Sequence, residues 1–292
     1  MTSRGNSTNS RSGRETASGA TALAAFIDRH PRLFVLTGAG CSTASGIPDY
    51  RDPAGEWKHA RPVQYADFMA RHAVRQRYWA RSMVGWPRMA GAEPNPAHRA
   101  LTALQRRDRL ERLVTQNVDG LHQKAGTRDV IDLHGRIDTV VCMACQRART
   151  RAEWQTTIAR LNPGWEGRQR DAADRPDGDV DLGDAAYERF VVPPCPCCGG
   201  IVKPDVVFFG EAVPPGRVSD AKSALARADA LLVVGSSLMV FSGYRFARYA
   251  AEAGKPVALV NRGRTRADEL AALKIEEDCG AVLTTAIIGA GE

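Results

Sequence analysis

Two C-x-x-C pairs carry the plainest chemistry in this 292-residue chain. Cys142-Met143-Ala144-Cys145 and Cys195-Pro196-Cys197-Cys198-Gly199-Gly200 are separated by 49 residues. Four thiolates on two short knuckles fill a tetrahedral Zn²⁺ sphere and leave no position for water, so such a zinc is structural. Cys195 and Cys197 are too close for a knuckle, which assigns Cys142, Cys145, Cys195 and Cys198 as ligands and leaves Cys197 a spare thiol. The cysteines number seven, an odd count that paired disulfides do not explain. With no apolar signal region at the start, a reducing, cytoplasmic setting is expected, where clustered thiols read as metal ligands. A redox C-x-x-C is the competing reading.

A second set of chemical groups gathers at the ends of short apolar runs. Leu33-Phe34-Val35-Leu36 runs into Thr37 and Gly38-Ala39-Gly40, where missing Cβ atoms let backbone N–H groups approach a diphosphate. The third glycine of the dinucleotide fingerprint is absent, Thr43 standing in its place, and a structural tight turn is the alternative. Ser42 follows with other small hydroxyl residues, then Asp49, Tyr50 and Arg51, suited to ribose or phosphate or to a solvated ion pair. After Leu113-Val114, the residues Gln116, Asn117 and Asp119 offer amide and carboxylate groups to hydroxyls or a carboxamide; capping of the next helix is the alternative. His122 reads as structural. His134-Gly135 ends the run Val130-Ile131-Asp132-Leu133, where a neutral imidazole can serve as a base or as a hydrogen-bonded core histidine. Gly235, Ser236 and Ser237, with Asn261 beyond the next run, complete five strand ends aimed at one crevice.

The elements holding these groups follow from patterning. The runs at 33–36, 113–114, 130–133, 206–209, 231–234 and 257–260 are continuously apolar, as in parallel strands buried on both faces. Helical patterns at 97–107, opened by Asn95-Pro96, and at 221–228 and 244–253 lie between them, so the expected fold class is α/β with a doubly wound parallel sheet. A loop and helical insertion occupies about 50–94. Residues 139–201 form a small zinc-binding domain, and 21–138 with 202–292 the large one. The first twenty residues, rich in Ser, Thr, Gly and Arg, read as a mobile tail, or as an organelle transit peptide that would place the protein in mitochondria.

Composition limits the remaining classes. Hydrophobic residues are 43% and charged residues 25%, ordinary globular usage that excludes global disorder. No apolar run approaches the eighteen or so residues of a membrane span, so no membrane partner is expected. The net charge is +7, of which the first twenty residues hold +2. The excess is too diffuse for a nucleic-acid signature, and no specific nucleic acid is expected.

Taken in order, Gly38-Ala39-Gly40-Cys41-Ser42, Gly46-Ile47-Pro48-Asp49-Tyr50-Arg51, Gln116-Asn117-Val118-Asp119, His134-Gly135, the paired cysteines, Lys203-Pro204-Asp205-Val206-Val207-Phe208-Phe209-Gly210-Glu211 and Gly235-Ser236-Ser237 resemble the sirtuin family. Tyr50, Tyr78-Trp79-Ala80-Arg81, Gly85-Trp86-Pro87 and Ser242-Gly243-Tyr244-Arg245-Phe246 are similar to its class II branch, which includes a mitochondrial lipoamidase-like member. The resemblance implies a Rossmann-like large domain, a small zinc domain, and NAD as co-substrate between them. It implies deacylation of acylated-lysine proteins or peptides, with nicotinamide released and the acyl group passed to ADP-ribose. Carried over, His134 is the general base. Asn117 and Asp119 hold ribose and the nicotinamide pocket beside Gln116. Gly38, Ala39, Gly40 and Ser237 face phosphate, Asp49 and Arg51 organise a flexible loop, Asn261 meets the adenosine ribose, and Cys279 lies at the adenine end. Val207, Phe208, Phe209 and Gly210 pair in β fashion with the substrate backbone. Tyr78 and Arg81 resemble a carboxylate-reading pair for acidic acyl chains. Protein mono-ADP-ribosyl transfer on the same fold and a non-enzymatic zinc-ribbon nucleic-acid binder are the alternatives.

Overall fold

The computed structural model describes residues 9–52, 54, 56–58, 62–165, 173–174, 180–182 and 186–289, and of residues 9–18, 173–174 and 180–181 the backbone only. In chain order the elements are α1 (Asn9–Arg29), β1 (Leu33–Thr37), α2 (Tyr65–Ala70), α3 (His72–Gly91), α4 (Pro96–Arg106), β2 (Leu110–Thr115), α5 (Leu121–Lys124), β3 (Ile131–Asp132), β4 (Gly135–Cys142), β5 (Ala148–Thr150), α6 (Arg151–Leu161), β6 (Ala173–Asp174), β7 (Val180–Asp181), β8 (Val202–Val206), α7 (Pro215–Arg227), β9 (Ala230–Val234), α8 (Phe241–Glu252), β10 (Val257–Val260), β11 (Leu273–Ile275) and α9 (Cys279–Leu283).

Six strands form one sheet in the order β11-β10-β9-β1-β2-β3, every neighbouring pair parallel. This is the doubly wound arrangement expected from the apolar runs. The chain's order reverses between β1 and β9, and the crevice beyond the carboxyl ends at such a reversal is where open α/β sheets bind ligands. Alternate strand residues feed two cores. Leu33, Val35, Leu232 and Val234 pack with Leu23, Phe26, Leu101 and Val282 on one face. Phe34, Leu36, Leu231 and Val233 pack with Ala221, Leu225, Phe246 and Ala250 on the other. Asn95 caps α4 by accepting from Ala97 N and His98 N, with Pro96 in the first turn, as the sequence predicts.

Three expectations are corrected. The run 206–209 is not a strand of the parallel sheet: β8 ends at Val206 and pairs antiparallel with β4 in a three-stranded sheet, β5-β4-β8. An apolar run alone does not distinguish a buried parallel strand from chain buried against another module. The tail reading is replaced over residues 9–20, where α1 already runs. Its alanines favour helix, and Ala20, Leu23, Phe26 and Ile27 are buried. Residues 1–8 lie outside the described residues. The helical insertion also joins a different core from the one its place in the chain suggests. Tyr78, Trp79 and Met83 of α3 pack with Trp154, Ile158, Cys142, Cys195 and Val202 of the cysteine-bearing segment.

Candidate active site and metal centre

The ends of β1 and β9 approach so closely that their glycines are obligatory. Gly38 N donates to Val234 O at 3.1 Å and Gly40 N to Gly235 O at 2.8 Å. A Cβ on Gly38 would meet Ser236 Cβ at 2.7 Å. Gly235 has φ +59°, and a Cβ there would meet Cys41 N at 2.2 Å. Both the turn reading and the phosphate reading of Gly38-Ala39-Gly40 therefore have a physical basis, since the packed turns also open onto a cleft of about 810 Å³.

That cleft is lined by Gly38, Ala39, Gly40, Ser42, Asp49, Tyr50, Arg51, Gln116, Asn117, Asp119, His134, Gly235, Ser236, Ser237, Asn261 and Cys279, together with Val207, Phe208, Phe209 and Gly210. Strand ends spread over 240 residues of sequence are thus brought to one wall. The cradle where side chains would clash, the polar strand ends and the unpartnered, buried Nε of Arg245 on the cleft lining suit a phosphate-bearing dinucleotide.

The polar groups are tied to one another. Asn117 Nδ2 donates to Gly38 O and to Ser42 Oγ, both at 3.0 Å, and Ser42 Oγ donates to Asp119 Oδ2 at 2.7 Å. Asp119 Oδ1 also accepts from Leu121 N at 2.9 Å, so the helix-capping alternative holds for this residue alongside its place in the cleft. Burial raises the Asp119 carboxyl above its ordinary range, against the hydrogen bonds from Leu121 and Ser42. Gln116 Nε2 donates to Ser236 Oγ at 2.8 Å.

His134 sits between the two sheets. Its Nδ1 lies 2.9 Å from Gln116 O, and a carbonyl only accepts, so the ring proton resides on Nδ1. Nε2 is therefore a lone pair, and it accepts from Ser242 Oγ at 2.7 Å. Burial, with Arg217 and Arg245 nearby, lowers the imidazole to about 4, although the Gln116 carbonyl pulls the other way. At neutral pH the site holds an unprotonated base with a fixed tautomer. Ser242 and Arg245, both on the cleft lining, had no signal in the sequence beyond their place in a family-like string.

Some expected contacts differ. Asp49 pairs with Lys58 rather than Arg51, and the Arg51 guanidinium lies over the Trp57 ring at 4.0 Å. Tyr50, Trp57 and Phe209 stack edge to face, with centroids 5.6–6.4 Å apart. The segment expected to pair with a substrate backbone is largely engaged already: Val207 N donates to His134 O, Phe208 forms a turn with Glu211, and Phe209 O accepts from Tyr65 N. Gln64 and Phe209 form a parallel bridge, which ties this segment to the chain just before α2. Tyr78 and Arg81 are not brought to the cleft. Both are buried on α3, and Tyr78 packs behind the wall against Phe208, centroids 5.2 Å apart. Their spacing puts both on the buried face of a helix, which sequence spacing cannot distinguish from a pocket-lining face.

The sulfurs of Cys142, Cys145, Cys195 and Cys198 lie within 4.8 Å of one another. Cys142 to Cys198 is 3.4 Å and Cys145 to Cys195 is 3.9 Å, bracketing the edge of about 3.8 Å of a tetrahedron with 2.3 Å Zn–S bonds. Backbone N–H groups of Cys145 and Ala144 bring the Cys142 thiol down to about 6, and those of Cys197 and Cys198 lower Cys195. A Cβ on Gly200 would meet Cys142 Sγ at 2.9 Å. The donor set fits zinc. Cys197 stands apart, its sulfur accepting from Arg147 at 3.0 Å, as a spare thiol should.

Residues 38–242 match the Sir2 family. A Xanthomonas axonopodis pv. citri (strain 306) NAD-dependent protein deacetylase is 60% identical over 258 residues, covering 88% of this chain and 87% of that protein. The Homo sapiens mitochondrial NAD-dependent protein lipoamidase sirtuin-4 is 48% identical over 264 residues, covering 89% and 83%. A solved Sir2 with a peptide and NAD⁺ superposes with a TM-score of 0.73 at 27% identity, covering 92% of this chain and 98% of that one.

Proposed function

The chain belongs to the Sir2 family and is an NAD-dependent protein deacylase, and from that premise we propose how its own residues divide the reaction. NAD, when bound, supplies the ribose that receives the acyl group as nicotinamide departs. The observation that carries the assignment is the His134 tautomer: an unprotonated Nε2 on the cleft, held by Gln116 O and covered by one exchangeable hydroxyl, Ser242. A substrate hydroxyl taking the place of Ser242 Oγ gives its proton to Nε2, and the imidazolium so formed keeps its Nδ1–H on the Gln116 carbonyl. His134 is thus the general base.

Asn117 and Asp119, locked through Ser42, orient the ribose end of the cleft, with Gln116 beside them. Gly38, Ala39, Gly40, Gly235, Ser236 and Ser237 receive the phosphates at the sheet's reversal point, and Asn261 and Cys279 flank the adenosine end. Asp49, Tyr50 and Arg51 close the cleft from the loop side. The cleft-lining stretch Val207 to Gly210 presents its remaining main-chain groups to the acyl-lysine peptide, and main-chain recognition reads little side-chain sequence. Cys142, Cys145, Cys195 and Cys198 hold zinc for stability, with no open coordination position for chemistry. Seven thiols, none in a disulfide among the described residues, support a cytoplasmic location, which fractionation of the source cell tests.

The experiment is a single-turnover reaction of acetyl-lysine peptide with NAD, resolved by mass. Equal amounts of nicotinamide, deacylated peptide and acyl-ADP-ribose support the assignment when His134→Ala forms deacylated peptide and acyl-ADP-ribose at least about 100-fold more slowly. ADP-ribosylated protein with no acyl-ADP-ribose would instead point to mono-ADP-ribosyl transfer.

A further inference from the structure

Behind the glycine turn lies a second group of metal-ligating side chains that deacylation does not use. Cys41, His98 and His122 come from the turn Ala39–Cys41, from α4 and from α5, and their ligand atoms lie within 4.8 Å of one another. Their exposures are 1%, 0% and 1%. Thr37 Oγ1 gives its own proton to Thr115 Oγ1 at 2.8 Å, so the 2.9 Å contact with His122 is a bond donated by His122 Nε2. His122 Nδ1 is therefore a bare lone pair, and it is buried without a partner. Metal-binding imidazoles are commonly oriented in this way, the outer N–H fixed by a protein acceptor. His98 Nε2 is also buried without a partner, while its Nδ1 accepts a long 3.3 Å bond from Asn95 N. Two orphaned imidazole nitrogens beside one thiol, sealed from water, are a cost to the fold that a ligand would remove.

We infer that Cys41, His98 and His122 form a binding site for a soft monovalent cation, Cu(I). Thiolate and imidazole are the donors such an ion prefers. Ligand number and softness decide between ions: one thiolate and two imidazoles complete a three-coordinate Cu⁺ site, whereas Zn²⁺ takes four ligands and would need a further donor in a closed interior. Binding replaces the thiol proton by the metal, Cys41–SH + Cu⁺ → Cys41–S–Cu + H⁺, with the proton released to solvent and no change of oxidation state. His98 shifts its ring proton from Nε2 to Nδ1 and gives up the long bond from Asn95. Three donors around an ion at about 2.0–2.3 Å lie about 3.5–3.8 Å apart, so the site closes by up to about 1 Å on loading. Ser42, the next residue, carries the links to Asn117 and Asp119, which places the ion directly behind the deacylation machinery.

The test uses zinc-loaded full-length enzyme with the exposed spare thiol removed (Cys197→Ser). Titrated anaerobically with Cu(I) against a chromophoric Cu(I) chelator, it is expected to take up one equivalent with its zinc content unchanged. X-ray absorption should then show one sulfur and two nitrogen neighbours. Cys41→Ser, nearly isosteric, loses that equivalent, as does His122→Asn. Cys279→Ser retains it, and Thr37→Val binds about 10–100-fold more weakly. Absence of uptake, uptake that persists in Cys41→Ser, or uptake that displaces zinc overturns the inference. Because Cys41→Ser preserves shape, the result stands even if the histidine variant fails to fold.

Discussion

The Nε2 of His134 and the hydroxyl of Ser242 are 2.7 Å apart, and the proton between them belongs to the serine, because the histidine's own proton is committed to Gln116 O. His134→Ala should lower kcat by at least about 100-fold, the low end for loss of a positioned base, while circular dichroism and melting stay close to wild type. The pH profile is the sharper readout. With the imidazole lowered to about 4, kcat/KM should be flat from pH 8 to 6 and fall only toward pH 4. Ser242→Ala removes a donor to the neutral ring, so the acid limb should move up, by less than about one pH unit. A limb at 6.5 in the wild type would contradict the assigned environment.

Stability should fall in acid for a related reason. Burial lowers His98 and His134 to about 4 and His122 well below the ordinary imidazole range. The unfolded chain takes up these protons below about pH 6.5 while the folded chain does not, so protonation favours unfolding between about pH 6.5 and 4. Each group contributes a slope of about 1.4 kcal/mol per pH unit in that window. Asp119 and Asp132, raised by burial, work in the opposite sense near its lower end. Urea unfolding of His98→Gln across the window should show a slope shallower by about that amount.

Removing a zinc ligand should separate structure from catalysis. Cys142→Ala is expected to lose one equivalent of zinc by metal analysis and about 3 kcal/mol or more of stability, a fall in Tm of about 6 °C or more. Cys197→Ser, whose sulfur accepts from Arg147 and stands outside the four-sulfur cluster, should keep both zinc and Tm.

Gly235→Ala tests the close approach of the two turns. The residue lies at φ +59° and a methyl would reach Cys41 N at 2.2 Å, so backbone must move. Destabilisation of about 2 kcal/mol or more is expected, with NAD affinity measured by calorimetry falling more than peptide affinity.

Arg81→Ala addresses the acyl chain. Because Arg81 is buried on α3 and not on the cleft lining, the ratio of desuccinylation to deacetylation on one peptide should stay within about twofold of wild type, even as the folded state loses about 1–3 kcal/mol from disturbed packing. A collapse of the succinyl rate alone would show that this guanidinium reads the substrate.

Much of this site could be read in the sequence because its chemistry sits at strand ends. Apolar runs locate the strands, and whatever follows Thr37, Thr115, Leu133, Val234 and Val260 must fall on one rim of a parallel sheet. The zinc set was equally legible, since four sulfurs at knuckle spacing admit few other uses. What the sequence hid was side-chain direction and partner choice. Tyr78 and Arg81 have pocket-like spacing but face inward, Asp49 pairs with Lys58, and Ser242 reaches His134 from 108 residues away. The run at 206–209 misled because Val206 pairs antiparallel with β4 and Phe208 packs against Phe68 and Tyr78, outside the parallel sheet.

One residue beyond His134, Gly135 opens β4 at φ +82°, and a Cβ there would lie 2.0 Å from Asp205 O. The imidazole is therefore mounted on the axle that joins the nucleotide-holding body to the cysteine-bearing lobe, and Val207 N clasps His134 O from the lobe's return strand. A displacement of β8 against β4 at this junction would carry the proton acceptor with it, so the joint between the two sheets and the reacting group are mechanically one.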